Sequence, residues 1–218
     1  MCKQGIQRRK LKLKVEPNDE LKQLFLDKLK EKNSKQRPNI GVSDLVYCLR
    51  EAYFRRIIPK PPTPKQLGFY TDGSRRHVAM EALSGLISEV EVERYGVVGH
   101  VDMLKDAGVP IEFKSTRARK NLSESYFLQL AFYSLMLNVK HGYLIVQRLM
   151  SEEPWEFYHV EWTPEEMLNL DYELHSRSSL LRESLEKNDP STLPKPDVSM
   201  EWKCRSCIFK DDPCLTFP

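Results

Sequence analysis

Three residues near the middle of the chain, Asp102, Glu112 and Lys114, have types and spacing that suit metal-dependent hydrolysis. The stretch VPIEFKST predicts a strand in which Glu112 and Lys114 share one face, while Ile111 and Phe113 point to the other. A hairpin through the turn KDAG would bring Asp102 beside Glu112. Ionised groups between apolar strands are costly unless a cation compensates them, and Mg²⁺ or Mn²⁺ would neutralise the acid pair. Lys114 would then hold or help deprotonate the attacking water.

The same pattern has a simpler interpretation, because a surface strand with a Glu–Lys ion pair also contains it. The neighbouring residues favour the functional interpretation. Gln129 and Tyr133 lie one turn apart on the next predicted helix, and His77 lies on the helix before the hairpin, where it would bind the metal or a phosphate. Each of these residues alone is more often a packing residue, so their order along the chain is what favours a site.

A second group of residues with metal chemistry lies near the end of the sequence. Cys204, Cys207 and Cys214 fall within the last fifteen residues, and three thiolates do not complete a four-coordinate site. In a reducing compartment, clustered cysteines more often bind metal or act in redox chemistry than form disulfides. Unrelated reduced cysteines are the alternative, which their close spacing in a polar tail disfavours. Cys2 lies in a basic arm and is expected to take no part.

The composition indicates a soluble globular protein. Of the 218 residues, 40% are hydrophobic and 30% are charged, and no apolar run reaches the roughly 18 residues of a membrane span. The first 14 residues contain six bases and no acid, which is typical of a solvated tail, with phosphate contact as the alternative. No signal peptide is visible, so we expect a prokaryotic cytoplasm, and the high Lys and Glu content hints at a thermophile.

The elements that must position these residues alternate between helices and strands. Helices are predicted over DELKQLFLDKLKEKN, over GVSDLVYCLREAYFRRIIP with Ser43 as N-cap and Cys48 in its second turn, and over GSRRHVAMEALSGLI after a proline-rich loop. Three strands, an apolar helix, two more strands and a long helix from Thr163 to about Lys187 complete the pattern. This order predicts an α/β fold rather than a helical bundle or a β-sandwich.

The order His…Asp…Glu-x-Lys…Gln-x-x-x-Tyr resembles the RecB-like branch of the PD-(D/E)xK nuclease superfamily. With Cys48 ahead of it and three cysteines near the end, the sequence is similar to the fourth family of CRISPR-associated proteins, which are small iron–sulfur nucleases. The similarity runs from about Gly41 to Cys214 and covers VSDLVYCLREAYF, GSRRH, GHVDM, IEFKST, QLAFY and WKCRSCIFKDDPC. Leu49 departs from this pattern, since relatives commonly have proline after the first cysteine.

The resemblance implies a restriction-endonuclease-like core, with a mixed sheet flanked by helices. It also implies that Mg²⁺ or Mn²⁺ is bound by the side chains of His77, Asp102 and Glu112 and by the backbone carbonyl of Phe113. Lys114 would be the catalytic lysine, and Gln129 and Tyr133 would support the site or the DNA. The implied catalytic set is therefore Asp102, Glu112, Lys114, Gln129 and Tyr133.

The resemblance also names the missing thiolate as Cys48, far upstream of the tail. A clasp would then join the N-terminal helix to the C-terminal tail through Cys48, Cys204, Cys207 and Cys214. An iron–sulfur cluster is favoured over zinc, and 4Fe–4S over 2Fe–2S. Residues 1–40 would form a basic arm and N-terminal helix, and residues 41–218 the nuclease domain.

The implied activity is metal-dependent exonuclease action on single-stranded DNA, typically from the 5′ end, during trimming of fragments for CRISPR spacer acquisition. The implied partner is the adaptation integrase. Two alternatives stay open: a related nuclease of recombination or repair, and a DNA-binding or assembly module that does not cleave. The clasp would close a ring around a DNA passage, along which these basic residues are expected: Arg50, Arg55, Arg56, Arg75, Arg76, Arg117 and Arg119.

Overall fold

The computed structural model describes residues 16–33, 38–58, 60–106, 108–117, 121–195, 201–205 and 207–214. The basic arm with Cys2, and Arg119 of the expected DNA passage, lie outside these residues. Within them, no helix has both the length and the apolar character needed to cross a membrane.

A mixed six-stranded sheet forms the centre of the fold. Its strands are β1 (Ile40–Gly41), β2 (Ile87–Arg94), β3 (Val97–Lys105), β4 (Val109–Thr116), β5 (His141–Arg148) and β6 (Trp155–Glu161). The strand order is β1-β3-β4-β5-β6, with β2 paired to β3. The β1–β3 and β4–β5 pairs are parallel and the other pairs are antiparallel. This sheet confirms the predicted α/β fold.

Helices flank the sheet and connect its strands. They are α1 (Asp19–Asn33), α2 (Val42–Val46), α3 (Leu49–Ile57), α4 (Pro64–Ser84), α5 (Glu124–Met136), α6 (Pro164–Lys187) and α7 (Glu201–Cys204). A wide helical turn follows α7 at Lys210–Cys214. Helix α5 connects the parallel strands β4 and β5 and packs on both, while α4 contacts β3 and β4.

Strands β3 and β4 form the predicted antiparallel hairpin, in which Met103 pairs with Ile111. Alternation along β4 divides its side chains between two environments. Ile111 and Phe113 pack with Met80 of α4 in an apolar cluster. Lys114 points instead toward α5, where it forms a hydrogen bond. The division of β4 into an apolar and a polar face is therefore as predicted.

The edge of β3 that faces β4 has an opening in its middle. Strand β1 pairs with β3 at Val97 and Val98, and β4 pairs with it only from Met103 onward. Strand β2 pairs along β3 from Val97 to Leu104, so that β1 and β4 share the opposite edge. Between them, the segment from Gly99 to Asp102 has no strand partner on this side among the residues that the structure describes. Side chains from α4 and α5 reach this opening.

The prediction of one continuous helix over GVSDLVYCLREAYFRRIIP is wrong. The segment forms two helices, α2 and α3, with a break between them. Cys48 is the N-cap of α3 rather than a residue in a second turn. Ser43 is not the N-cap of α2; Gly41 holds that position, and its N–H donates to the Asp44 carboxylate at 2.8 Å. Arg177 of α6 donates to two carbonyls at the end of α2, at 2.6 and 3.1 Å, which replaces the hydrogen bonds of a continuous helix.

Helix α4 begins inside the stretch predicted to be a proline-rich loop. Pro64 is its first residue, where proline needs no N–H partner and its fixed φ suits a helix. The Thr63 hydroxyl accepts a hydrogen bond from the Gln66 N–H at 3.3 Å, and the Gln66 side chain accepts one from the Thr63 N–H at 2.9 Å. The longer helix consequently carries Phe69 as well as His77.

The largest apolar core lies between the sheet and the helices α2, α3, α5 and α6. Its fully buried side chains include Phe54, Phe132 and Leu174. Phe209, from the tail after α7, is also fully buried there, and its ring centroid lies 5.8 Å from that of Phe54. Burying a phenylalanine stabilises a fold by roughly 1.5–3 kcal/mol, so the core itself anchors the cysteine-containing tail.

Candidate active site

Asp102 occupies the opening beside β3 and connects three elements. Its Oδ2 accepts a hydrogen bond from the Phe113 N–H at 2.8 Å, in place of the strand pairing that is missing there. Its Oδ1 lies 3.2 Å from Nδ1 of His77 on α4. The His77 ring also packs edge-on against the Phe113 ring, with centroids 5.1 Å apart. This carboxylate is therefore held in position by both β4 and α4.

Glu112 is a fully buried carboxylate. Its Oε1 forms an ion pair with Lys114 Nζ at 2.5 Å, and its Oε2 accepts no hydrogen bond from the described residues. Burial raises the pKa of Glu112 to about 7, although the Lys114 cation opposes this change. A bare oxygen in such a place is costly, and a divalent cation would offset that cost.

Lys114 begins a chain of hydrogen bonds that crosses from β4 to α5. Its Nζ donates to Gln129 Oε1 at 3.0 Å, and Gln129 Nε2 donates to the Tyr133 hydroxyl at 3.2 Å. Burial opposes a charge on Lys114, but the Glu112 carboxylate outweighs it and raises the pKa of Lys114. Lys114 is therefore a cation whose direction is set by two partners.

Gly99 of β3 is required by the close approach of Tyr133 to the opening. A Cβ at this position would lie 2.6 Å from Tyr133 Cε1, which is closer than such atoms pack. The absence of a side chain at Gly99 therefore lets Tyr133 lie beside Gln129. Gly99 begins the GHVDM motif, but nothing local to the sequence indicated its role.

Glu81 completes the closest group of ligand atoms in the described part of the chain. One atom each from His77, Glu81 and Asp102 lie within 4.8 Å of one another. Glu81 Oε1 is buried without a hydrogen-bond partner among the described residues. Burial, and the nearby carboxylates of Glu89 and Asp102, raise the pKa of Glu81. The one-turn spacing of His77 and Glu81 is visible in the sequence and was the signal that could have added Glu81 to the site.

The predicted site residues therefore converge on the opening, but they divide into two groups. His77 and Asp102 contact each other and lie with Glu81. Glu112 is instead paired with Lys114, and is not a member of that ligand group. The charge of Glu112 still acts on His77. Burial lowers the pKa of His77, but Asp102 and, more weakly, Glu112 raise it, and the net result is a raised pKa.

The four cysteines of the expected clasp lie in one region beside α3. Cys207 and Cys214 pack against the largest core, and Cys48 begins α3. Burial raises the pKa of Cys207 to about 11, and the charges of Cys48 and Cys214 contribute to this increase. All four are free thiols of intermediate exposure. No three sulfur atoms among the described residues lie within 4.8 Å of one another.

Arg50 does not belong to the expected DNA passage, because its side chain is only 2% exposed. Arg50 Nε donates to the Leu193 carbonyl at 3.0 Å, and its Nη1 donates to the Cys214 carbonyl at 3.5 Å. Nearby, Lys203 Nζ pairs with Glu51 of α3 at 3.4 Å. Helix α3 thus binds the tail through polar contacts on both sides of its cysteines.

Comparison with solved structures identifies the fold. No protein-family profile and no curated protein matches the sequence. The crystal structure of SSO0001 is similar with a TM-score of 0.61 at 20% identity, over 88% of this chain and 95% of that chain. A phage-related exonuclease from Haemophilus somnus 129PT is similar with a TM-score of 0.50 at 11% identity, over 70% of this chain and 97% of that chain.

LHK-Exo, an exonuclease from Laribacter hongkongensis, also has this fold in its complex with dAMP. Its TM-score is 0.50 at 12% identity, over 77% of this chain and 95% of that chain. At these identities the similarity concerns the fold alone. The chain has the mixed α/β sheet, flanked by helices, that is found in exonucleases.

Proposed function

We propose that this chain is a metal-dependent exonuclease that degrades single-stranded DNA from the 5′ end. The observation that carries this proposal is the convergence of Asp102, Glu112 and Lys114 with His77 at the opening beside β3. The fold shared with exonucleases, one of them crystallised with dAMP, supports it. The strand preference, the polarity, the role in CRISPR spacer acquisition and the adaptation integrase as partner follow from the motif resemblance.

The donor set at the opening suits a hard divalent cation. Carboxylate oxygens and an imidazole nitrogen are available, and Glu112 Oε2 is buried with no donor in the described part of the chain. We assign the Mg²⁺ or Mn²⁺ ligands as His77, Asp102, Glu112 and the Phe113 carbonyl, with Glu81 next to them. Such a cation polarises a phosphodiester and lowers the pKa of bound water.

The side chains around this ligand set have separate tasks in phosphodiester hydrolysis. Lys114 is a buried cation directed by Glu112 and Gln129, so it stabilises negative charge on the phosphate and orients the attacking water. Gln129 holds the lysine by its amide oxygen and Tyr133 by its amide nitrogen. The apolar packing of Phe113 on His77 limits water on that side. Together these contacts hold the cation and the lysine in fixed relative positions.

For the cysteine region we propose an iron–sulfur cluster, preferably 4Fe–4S, with 2Fe–2S as the alternative. The proposed ligands are Cys48, Cys204, Cys207 and Cys214. A single zinc ion with Zn–S bonds of about 2.3 Å needs all of its sulfurs within about 4 Å of one another, and no three of these thiols lie within 4.8 Å of one another. A larger cluster suits wider spacing, and the nearby cations Arg50 and Lys203 would balance its negative charge.

Cleavage of end-labelled single-stranded oligonucleotides, with and without Mn²⁺, tests the nuclease proposal. Asp102→Ala should abolish cleavage while the protein stays folded, because it removes the β3 carboxylate proposed to bind the metal, which also contacts Phe113 of β4 and His77 of α4. The matched control is Glu91→Ala on β2. This change removes an exposed ion pair, 3.4 Å long, with His100 of β3, and it should leave cleavage unchanged. Substantial cleavage by the Asp102 variant would exclude the assigned site.

Iron content and visible absorbance test the cluster proposal. Cys48→Ser should lose absorbance near about 400 nm and destabilise the protein, because the link between α3 and the tail is gone. Cys2→Ser should retain both. An iron-free, zinc-loaded protein would refute the cluster, and a Cys48 variant with full iron content would refute the long-range clasp.

A further inference from the structure

Two cavities adjoin along α4, one beside the cysteine region and one beside the candidate site, and together we call them the groove. At one end it is lined by Cys48 and Cys207, together with Tyr47. At the other end it is lined by His77 and Glu81. Phe69 and Tyr70 of α4 line both ends and connect them. The groove therefore provides a path over the surface from the proposed cluster to the proposed metal ligands.

Phe69 stands out within this groove. Its side chain is 49% exposed, although the face of a large aromatic ring normally lies in a core. Two cations lie over the ring: Lys65 Nζ is 6.0 Å from its centroid, and Arg117 Cζ is 5.8 Å from it. Arg117 directly follows β4, three residues after Lys114. Phe69 is thus a half-exposed ring with two mobile cations over it, beside the end of the strand that carries Lys114, and a base that stacks on the ring would displace one of them toward a phosphate.

The end of the groove near the cysteines is positive once its internal ion pairs are counted, whereas the acids Glu81 and Glu89 line the end at the candidate site. Four basic residues line the end near the cysteines: Arg55, Lys65, Lys203 and Arg205. The acid Glu51 is neutralised by Arg55 and Lys203, and Asp44 is neutralised by Arg56. Lys65 and Arg205 are exposed. A polyanion is therefore the complementary occupant of the end near the cysteines, and the cation proposed at His77 and Asp102 would offset the acids at the other end.

We propose that this groove binds single-stranded DNA, and that one unpaired base stacks on Phe69 while Lys65 and Arg117 contact the flanking phosphates. This inference rests on the proposed nuclease function and names the path by which the strand reaches the site. Alternating aromatic faces and cations are what single-stranded nucleic acid requires. Bases of a duplex are already stacked on one another, so a duplex has no free face for Phe69. Stacking does not depend on base identity, so the groove accepts any sequence.

Binding of a fluorescent oligo-dT 12-mer, followed by anisotropy in metal-depleted buffer, separates affinity from cleavage. Phe69→Ala should weaken binding about 10-fold, the loss expected for one stacked base. Phe69→Trp should restore it, whereas Phe69→Leu should not, because leucine keeps apolar bulk without an aromatic face. The matched control is Phe157→Ala, which removes a phenylalanine that is 70% exposed on β6, away from the groove.

Two further measurements identify what binds. An oligonucleotide with one 2-aminopurine should lose fluorescence on binding to the wild type and regain it with Phe69→Ala. Lys65→Glu should weaken binding and reduce its salt dependence, as the loss of a phosphate contact requires. Three outcomes would each refute the proposal that this groove binds single-stranded DNA. They are an affinity of Phe69→Ala within twofold of wild type, full rescue by Phe69→Leu, and equal affinity of the wild type for a blunt duplex.

The two proposals fail separately in these experiments. If the wild type cleaves no DNA with Mn²⁺, but Phe69→Ala loses affinity for the 12-mer, the groove stands and the nuclease proposal falls. If the wild type cleaves, but Phe69→Ala keeps both its affinity and its KM, the nuclease stands and the groove falls.

Discussion

Replacing Glu112 by glutamine should stabilise the metal-depleted protein, although the same change should abolish cleavage. Glutamine has the shape of the protonated glutamate and carries no charge. Burial raises the pKa of Glu112 from its ordinary value of 4.5 to about 7, against the effect of the Lys114 cation. Each unit of pKa corresponds to about 1.4 kcal/mol, so the ionised carboxylate costs the folded state about 3 kcal/mol above pH 7.

The sign and the pH range follow from the two pKa values of Glu112. The unfolded carboxyl loses its proton near pH 4.5, whereas the folded one keeps it until about pH 7. The cost is therefore absent below pH 4.5, grows between these values, and is complete above pH 7. The advantage of Glu112→Gln over the wild type should be about 1 kcal/mol at pH 5.5 and about 3 kcal/mol at pH 8.

Denaturant unfolding at both pH values in metal-depleted buffer measures this difference. At pH 8 the gain should also raise Tm by about 6–12 °C in a chain of this length. Saturating Mn²⁺ should close most of the gap, because a ligand at 100 times its Kd stabilises the wild type by about 2.7 kcal/mol. The matched control, Glu91→Gln on β2, should change stability by less than about 0.5 kcal/mol, since Glu91 is exposed.

Equal stability at pH 8, or a less stable Glu112→Gln protein, would refute this reasoning. Either result would mean that the ion pair with Lys114 is strong enough to keep Glu112 charged without a metal. The carboxylate would then be a structural group, and a cation would no longer be needed to explain its burial.

Two further changes test the lysine and the opening beside β3. Lys114→Arg should lower the cleavage rate by about 100-fold or more but retain much of the DNA affinity, because the wide guanidinium cannot replace a compact ammonium; near-native turnover would reduce Lys114 to a partner of Glu112. Gly99→Ala should lower kcat by about 100-fold, because its methyl group displaces Tyr133. Gly68→Ala, which has open space around it on α4, is the control for that loss, and equal activity of the two variants would contradict it.

Local chemistry made most of the sheet and the long helices predictable. The alternation of VPIEFKST predicts β4 and its two faces, because side-chain direction in a strand depends only on sequence position. Thr163 followed by Pro164 predicts the start of α6, since a cap and a proline act on the adjacent turn. Such signals lie within a few residues of the structure that they predict.

The break between α2 and α3 was not predictable in this way. Arg177, about 130 residues further along the chain, donates to the carbonyls at the end of α2 and makes the break stable. Arg50 shows the same limitation, because a charged side chain one turn or two before Arg55 and Arg56 indicates surface. Only the packing of the tail on α3 explains why its guanidinium is buried against the Leu193 carbonyl.

For the candidate active site, the sequence by itself determined the residue types and their order, including the shared face of Glu112 and Lys114. Tertiary structure decided which atoms meet. It paired Glu112 with Lys114, placed Glu81 with His77 and Asp102, and directed Asp102 to a backbone N–H in the opening beside β3. The physical reason is that alternation and helical spacing are properties of one segment, whereas distances between carboxylates depend on how strands separate and helices pack across them.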